Sequence, residues 1–251
     1  MTYSIRPPTA ALVALTLATP VIAQEDGPSD GWSLGVVAAI ATNPYLDEDT
    51  EVFPYPALTY RNGPFSIGTF GVEYDFYATE HLTFSAGLVP RFTGLFSTDA
   101  PELDGIDRKV TGDVALGLEY DLGNGFGADL TFRQEFTGKH DGQELVLDLG
   151  YGTQIGRVGL EFSAGAAWQS EDLSAFIWGV SPSEARASRP AYAPGDVIIP
   201  YAAVNAFVPL NENWTLIGTA RADFLPSNVS DSPIVDEDDI YSLILGVTYS
   251  F

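Results

Sequence analysis

His81 and His140 are the only two imidazoles in 251 residues. A serine hydroxyl becomes a nucleophile only when a base such as histidine stands within reach of its proton. His81 falls in Thr79-Glu80-His81, at the short-turn end of an expected strand. His140 falls in Gly138-Lys139-His140-Asp141-Gly142, in an expected loop at the opposite end. That loop offers a His–Asp pair without a partnered Ser, so His140 reads as a solvated turn residue. The two rings are too far apart to share a metal. The chain has no Cys, hence no disulfide and no thiolate ligand. The acid runs Asp47-Glu48-Asp49 with Glu51, and Asp236-Glu237-Asp238-Asp239, carry the oxygens that hard cations favour, but neither has EF-hand spacing. They read as solvated loops. No catalytic, cofactor-binding or metal residue is assigned, and an enzyme is not expected.

A different set of charges matters more. Arg91, Asp113, Glu119, Asp129, Arg133, Glu135, Asp148, Arg157, Glu161, Arg221 and Asp223 fall on the polar side of alternating segments, as do Glu73, Asp75, Asp121 and Glu144. Charges on an enclosed face must be paired or hydrated. Acids outnumber arginines in this set, so an open lumen would prefer cations.

The elements that position these charges follow from period-two alternation. Phe126, Ala128, Leu130, Phe132 and Phe136 alternate with Asp129, Thr131, Arg133 and Glu135. Leu145, Leu147, Leu149 and Tyr151 oppose Glu144 and Asp148, and Val158, Leu160, Phe162 and Trp168 oppose Arg157 and Glu161. Such runs reach about 10–13 residues, whereas globular strands average about 5–6 and bilayer-spanning strands need about 9–11. Connections alternate short and long. Gly123–Asn124, Gln154–Gly156 and Pro209–Asn213 are short, while Phe96–Arg108, Ser170–Asp196 and Pro226–Asp239 are long. Outer-membrane barrels keep short periplasmic turns and longer external loops.

Counting Phe65–Tyr77 as one strand gives an odd total, although single-chain bacterial barrels are even. The apolar phase slips inside that segment, at Gly68-Thr69-Phe70-Gly71. A tight hairpin there gives about 12 strands, and a β-bulge gives 10. Pro54 and Pro56 share one phase and leave one side of their strand short of donors. In a barrel that marks a local break beside the hairpin, or a strand rim above the membrane.

The ends agree with export. Arg6 is the only charge among the first 23 residues, and Ala10–Ala23 is apolar, ending Val21-Ile22-Ala23. Residues 1–23 read as a cleaved signal peptide, and 24–251 as the barrel. The last strand carries Tyr241, Leu243, Leu245, Val247, Tyr249 and Phe251 on one face, the pattern of a membrane-assembly signal. The formal net charge is −23, which excludes a nucleic-acid partner, and 45% hydrophobic residues argue against disorder. The expected location is the outer membrane, among lipid and lipopolysaccharide, reached through the barrel-assembly machinery.

Three stretches resemble the MipA/OmpV family of outer-membrane proteins. They are Val52-Phe53-Pro54-Tyr55-Pro56 through Tyr60-Arg61-Asn62-Gly63-Pro64-Phe65, Trp178-Gly179-Val180-Ser181-Pro182-Ser183-Glu184-Ala185 with Arg189-Pro190-Ala191-Tyr192, and Asp231-Ser232-Pro233-Ile234-Val235. The resemblance spans essentially the whole mature chain and brings no catalytic residue. It implies a non-enzymatic scaffold for a lytic transglycosylase and a bifunctional penicillin-binding protein. The residues themselves leave a small cation-preferring or solute-uptake pore as the alternative. Very short periplasmic turns offer partners little surface, so Gln24–Gly31 and the rim would carry that contact. The external loop Ser170–Asp196 is long enough to need structure of its own. Ser181, Pro182 and Glu184 predict a helix over Ser181–Ala187, folded with Phe176, Ile177 and Trp178 as a lid that favours the scaffold.

Overall fold

Every alternating segment forms a strand in the computed structural model, which describes residues 30–46, 51–92, 100–106 and 108–251. The expected signal peptide and the acid run Asp47–Asp49 lie outside the described residues. The strands are β1 (Gly31–Ala41), β2 (Glu51–Asn62), β3 (Phe65–Gly68), β4 (Gly71–Ala78), β5 (Leu82–Arg91) and β6 (Thr111–Gly123). They continue as β7 (Phe126–Glu135), β8 (Gln143–Ile155), β9 (Val158–Gln169), β10 (Val197–Pro209), β11 (Trp214–Phe224) and β12 (Asp239–Ser250). Each pairs antiparallel with its sequence neighbour, and β1 pairs with β12, from Ser33 opposite Ser250 to Ala41 opposite Ser242, to close the barrel.

The parity question resolves as 12 strands. Phe65–Gly68 and Gly71–Ala78 form a true hairpin about Thr69 and Phe70, with Gly68 opposite Gly71. Only Gly71 needs the left-handed region, at φ +135°. A bulge does occur nearby, between Asp75 and Tyr77 of β4, and it leaves both Phe76 and Tyr77 exposed. Because β3 is short, β2 pairs on that side only over Thr59–Asn62.

Outward positions form an apolar belt. On β12, Tyr241, Leu243, Leu245 and Phe251 are exposed while Ile240 and Ile244 are buried inside. At the short-turn end, aromatic rings meet across strands: Trp32 and Tyr60 tilted at 4.9 Å, Phe126 and Tyr151 tilted at 4.7 Å, and Trp214 edge-on to Tyr249 at 5.0 Å. Amphipathic rings of this kind favour a membrane interface. Phe251 joins the girdle with its ring 5.0 Å from Tyr249, and its N–H donates to Trp32 O at 3.1 Å. Deleting Phe251 removes both the ring and a tie across the β1–β12 seam. The expected result is a severalfold drop in the heat-modifiable folded band from membranes. Wild-type yield of folded protein would contradict this role.

Candidate functional site

The interior is built by the charged residues that alternation turns inward. At its long-loop end, Arg91, Asp113 and Glu144 are all at least 95% buried. Arg91 donates Nε to Asp113 at 2.7 Å and grips Glu144 with both terminal nitrogens, at 3.2 and 3.1 Å. Arg133 adds a contact to Glu144 at 3.4 Å. The bidentate grip supplies the geometry that a buried ion pair needs to offset its desolvation. Glu135 at the top of β7 is also buried, and it accepts the N–H groups of Lys139, His140 and Asp141.

Below this layer lies a cavity of about 260 Å³. Its wall includes Glu73, Glu119, Asp129 and Asp148 with Arg133 and Arg221. Arg221 is held by Asp223 at 2.6 Å, and its guanidinium lies over the Tyr201 ring at 3.6 Å. Tyr201 donates its hydroxyl to Asp148 Oδ2 at 2.6 Å. Glu161 is buried on β9, 6% exposed. The arginines thus take Glu144 and Asp223, on either side of the carboxylates of β6, β7 and β8. Arg157 does not belong to this set. It stands exposed in the two-residue turn between β8 and β9, because the ladder ends at Ile155 opposite Val158. Tyr201, Asn205 and Gln169 belong to the interior but had no charge to draw attention to them.

Among the described residues, the long loops pack together over the mouth. Helix α1 (Glu171–Trp178) starts at Ser170, whose hydroxyl accepts from Leu173 N, with Glu171 and Asp172 in the first turn. The expected helix over Ser181–Ala187 is therefore displaced nine to ten residues upstream, and Phe176, Ile177 and Trp178 lie inside the helix. At Ser181 only a single turn forms: the N–H groups of Glu184 and Ala185 both reach Ser181 O at 3.0 Å. The Glu184 carboxylate accepts Ser181 N–H at 2.9 Å, as a capping box would, but Arg108 also takes it. The chain then turns at the Arg186–Arg189 bridge, which ends the helical path.

A hydrophobic core of its own holds this lid. Tyr45, Leu103, Ile106, Leu173, Ile177, Trp178, Val180, Val229, Ile234 and Val235 come from four loops and pack with Val197, Ile199 and Ile240 of the strand tops. Polar ties fix the loops to one another. Ser232 Oγ donates to Trp178 O at 2.6 Å, Tyr45 donates its hydroxyl to Ile177 O at 3.3 Å, and buried Arg189 donates to the carbonyls of Glu102, Asp104 and Glu184. Arg108 donates to Gly179 O at 3.1 Å and to Phe176 O. Gly142 admits α1, since a Cβ there would stand 2.6 Å from Leu173. The lid and the lumen are joined through Gln169, which takes the Trp178 indole N–H at 3.0 Å and reaches Glu144 at 3.5 Å.

His140 is not a solvated turn residue. Its ring stacks on Phe176 at 4.5 Å, and Nδ1 accepts Gly142 N–H at 3.0 Å. Burial lowers its pKa, aided by the Arg91 charge and only partly opposed by Glu135, Asp113 and Asp141. Burial would raise Glu184, but hydrogen bonds from Arg108 and Ser181, with the Arg108 charge, hold it at about 2. Both folded values lie below the unfolded ones. Each contribution is therefore present above the unfolded pKa and lost as pH falls through the folded one. Between about pH 7.5 and 5, α1 should loosen through His140, near its unfolded value of about 6.5. The Arg108–Glu184 clasp should last until pH approaches 2. Hydrogen exchange of the α1 amides, corrected for intrinsic rates, checks this. A pH effect that is equal in wild type and His140→Gln would rule out the histidine.

His81 stays at the other rim, exposed, with Nδ1 3.6 Å from Asp121. The run Asp236–Asp239 is mostly exposed above β12.

Outer-membrane proteins of known name are similar to this chain over most of its length. The chain is 29% identical over 227 residues to the MltA-interacting protein of Escherichia coli K12, covering 88% of this chain and 90% of that one. It is 26% identical over 223 residues to outer membrane protein OmpV of Vibrio cholerae, covering 88% and 86%. Among solved structures, the NanC porin aligns over 87% of this chain and all of its own, at 10% identity and a TM-score of 0.48. The protein is an outer-membrane β-barrel. The family described as MltA-interacting protein MipA matches residues 34–251, from early in β1 to the terminal Phe251, and the chain belongs to that family.

Proposed function

We propose that this barrel is a non-enzymatic outer-membrane scaffold that holds peptidoglycan-remodelling enzymes, a lytic transglycosylase and a bifunctional penicillin-binding protein, at the membrane. The observation that carries the reading is the closed mouth. A channel for general solutes has no use for a lid with its own core of buried apolar residues across four loops. The name of the Escherichia coli relative, MltA-interacting protein, supports the same class of partner. The contact surface is small. Five turns of two to four residues face the periplasm, with Ile155 66% exposed in the rim. Residues 24–31 and that rim would carry the interaction. Cross-linking in whole envelopes, followed by purification of the full chain, is the test. Recovery of murein hydrolases or synthases, reduced by Ile155→Glu, supports the scaffold; their absence at wild-type levels of folded barrel sinks it.

One observation favours a second reading, a cation path. The carboxylates on β6, β7 and β8 lie in a cavity whose two arginines are held by other acids. Carboxylates lining a pore draw cations and repel anions. With the lid opened, reversal potentials in planar bilayers under a salt gradient should show cation selectivity. Clear anion selectivity would mean that the arginines, not the carboxylates, set the potential along the path.

A further inference from the structure

We propose that the lumen binds an amphiphile with a cationic head and a single apolar tail, admitted sideways from the lipid through a notch in the barrel wall between β2 and β5. The proposal is independent of the scaffold reading.

The notch follows from strand lengths. β3 and β4 stop at Gly68 and Gly71, but β2 runs on to Glu51 and β5 runs on to Arg91. Among the described residues, no strand pairs with β2 on this side beyond the hairpin tip. Two strands, each about 4.8 Å wide, are missing from the wall there. An open sheet edge in hydrocarbon costs several kcal/mol per unpaired polar group, which is why barrels avoid one.

Here the edge is built to stay open. Leu58 N–H donates to Thr69 Oγ1 and that hydroxyl donates to Pro56 O, both at 3.0 Å, so the even-numbered residues of β2 turn their peptide groups toward the notch. Pro54 and Pro56 stand at those positions without an N–H to leave unpaired. On β5, His81 O takes Asp121 N–H at 2.9 Å on the β6 side, and Leu82 O takes Thr79 N–H at 2.8 Å on the β4 side. By the same alternation Pro90 turns its peptide group toward the notch. Three prolines on two strands thus remove donors from both edges of one gap and leave Val52 as the residue of β2 beyond the hairpin that still turns an N–H toward it.

The interior behind the notch is two-sided. Beside β2 it is apolar: Val37, Ala39 and Ile244 are buried there, with Tyr55 and Ala57 packed on them. Phe70 of the hairpin tip packs edge-on to Tyr55 at 5.6 Å and also lines the cavity, as Pro90 does. The far wall is acidic. Glu119 faces Asp129, and Asp129 faces Asp148, in one cross-strand row. Like charges directly opposite one another destabilise a sheet. Asp148 is 93% buried, and its Oδ1 has no hydrogen-bond partner among the described residues. A carboxylate row with an unused, buried oxygen is complementary to a cationic head, and the apolar side and notch are complementary to a tail. Among the described residues the lid packs over the axial route from outside, and the notch offers a route from the outer leaflet.

The test uses the full protein in lipid nanodiscs and radiolabelled decyltrimethylammonium, with decanoate and decanol as competitors. Saturable binding is expected, displaced by unlabelled cation and not by decanoate. Asp129→Asn with Asp148→Asn should weaken it at least tenfold. Val89→Trp, at the notch edge, should slow association severalfold. If the double variant fails to give the heat-modifiable folded band, Asp129→Asn alone carries the same expectation. Three outcomes each overturn the proposal: equal binding of decanoate, unchanged affinity in the Asn variants, or an unchanged association rate in Val89→Trp, which would place access at the periplasmic end.

Discussion

Replacing Arg91 by Met is expected to destabilise the barrel by about 3–5 kcal/mol, the cost of leaving a buried ion cluster without its cation. Arg91 is 3% exposed and is the group that satisfies both Asp113 and Glu144, themselves 1% and 4% exposed. Asp113 Oδ1 already lacks a partner among the described residues, so losing Arg91 takes the remaining bonds from a group that water cannot easily reach. Arg133 cannot take over, since its single contact to Glu144 is 3.4 Å. Urea unfolding followed by the heat-modifiable band gives the measurement. The diagnostic comparison is the triple variant Arg91→Met, Asp113→Asn, Glu144→Gln. It should regain part of the loss, because the uncompensated carboxylates are gone, while Arg133 gives up its contact to the Glu144 charge. A loss below about 1 kcal/mol for Arg91→Met alone would mean that the cluster is hydrated and contributes as little as an exposed pair.

The second large effect is at the lid. Trp178→Ala should release the mouth, at a local cost of about 3–5 kcal/mol for a buried Trp truncated in a packed core. Trp178 is 4% exposed, its ring lies 5.9 Å from that of Tyr45, and its carbonyl takes the Ser232 hydroxyl. Its indole N–H is also the link to Gln169, and through it to Glu144. Truncation therefore removes apolar burial, the ring contact to Tyr45 and the connection between lid and lumen together, while the backbone tie to Ser232 stays. The strand ladders do not depend on it, so the barrel itself should still give the folded band. The expected readouts are faster proteolysis within residues 170–196 and a conductance in planar bilayers that wild type lacks. A lid that resists protease as wild type does would show that Leu173, Ile177 and Ile234 suffice without the indole.

The motifs that carried the family resemblance acquire a physical meaning in this arrangement. The second stretch, Trp178–Ala185 with Arg189–Tyr192, and the third, Asp231–Val235, are far apart in sequence, yet they meet in the lid. Val180 and Tyr192 exchange backbone hydrogen bonds at 2.9 Å, and Ile234 is fully buried. The first stretch, through Pro54 and Pro56, forms one edge of the wall notch.

The barrel itself was legible in the sequence because a strand exposes its two faces at period two, whatever it later touches. Leu145, Leu147 and Leu149 had to face one way and Glu144 and Asp148 the other, so the inward charges and the long–short rhythm of connections followed from residue order. The hairpin at Thr69–Phe70 was legible for the same reason, since a turn reverses the apolar phase. Arg157 was misassigned because alternation does not mark where a ladder ends. A turn residue continues the pattern by accident, and only the pairing of Ile155 with Val158 places it outside. The lid helix was misplaced because local capping signals compete. Ser170 with Glu171 and Asp172, and Ser181 with Glu184, are both capped starts, but the second stops after one turn, where the Arg186–Arg189 bridge reverses the chain. His140 looked like a turn residue until α1 packed against it. Which charges pair, what closes the mouth and where the wall stays open depend on contacts between loops and strands distant in sequence. No periodicity encodes those distances, and only the closed tertiary structure sets them.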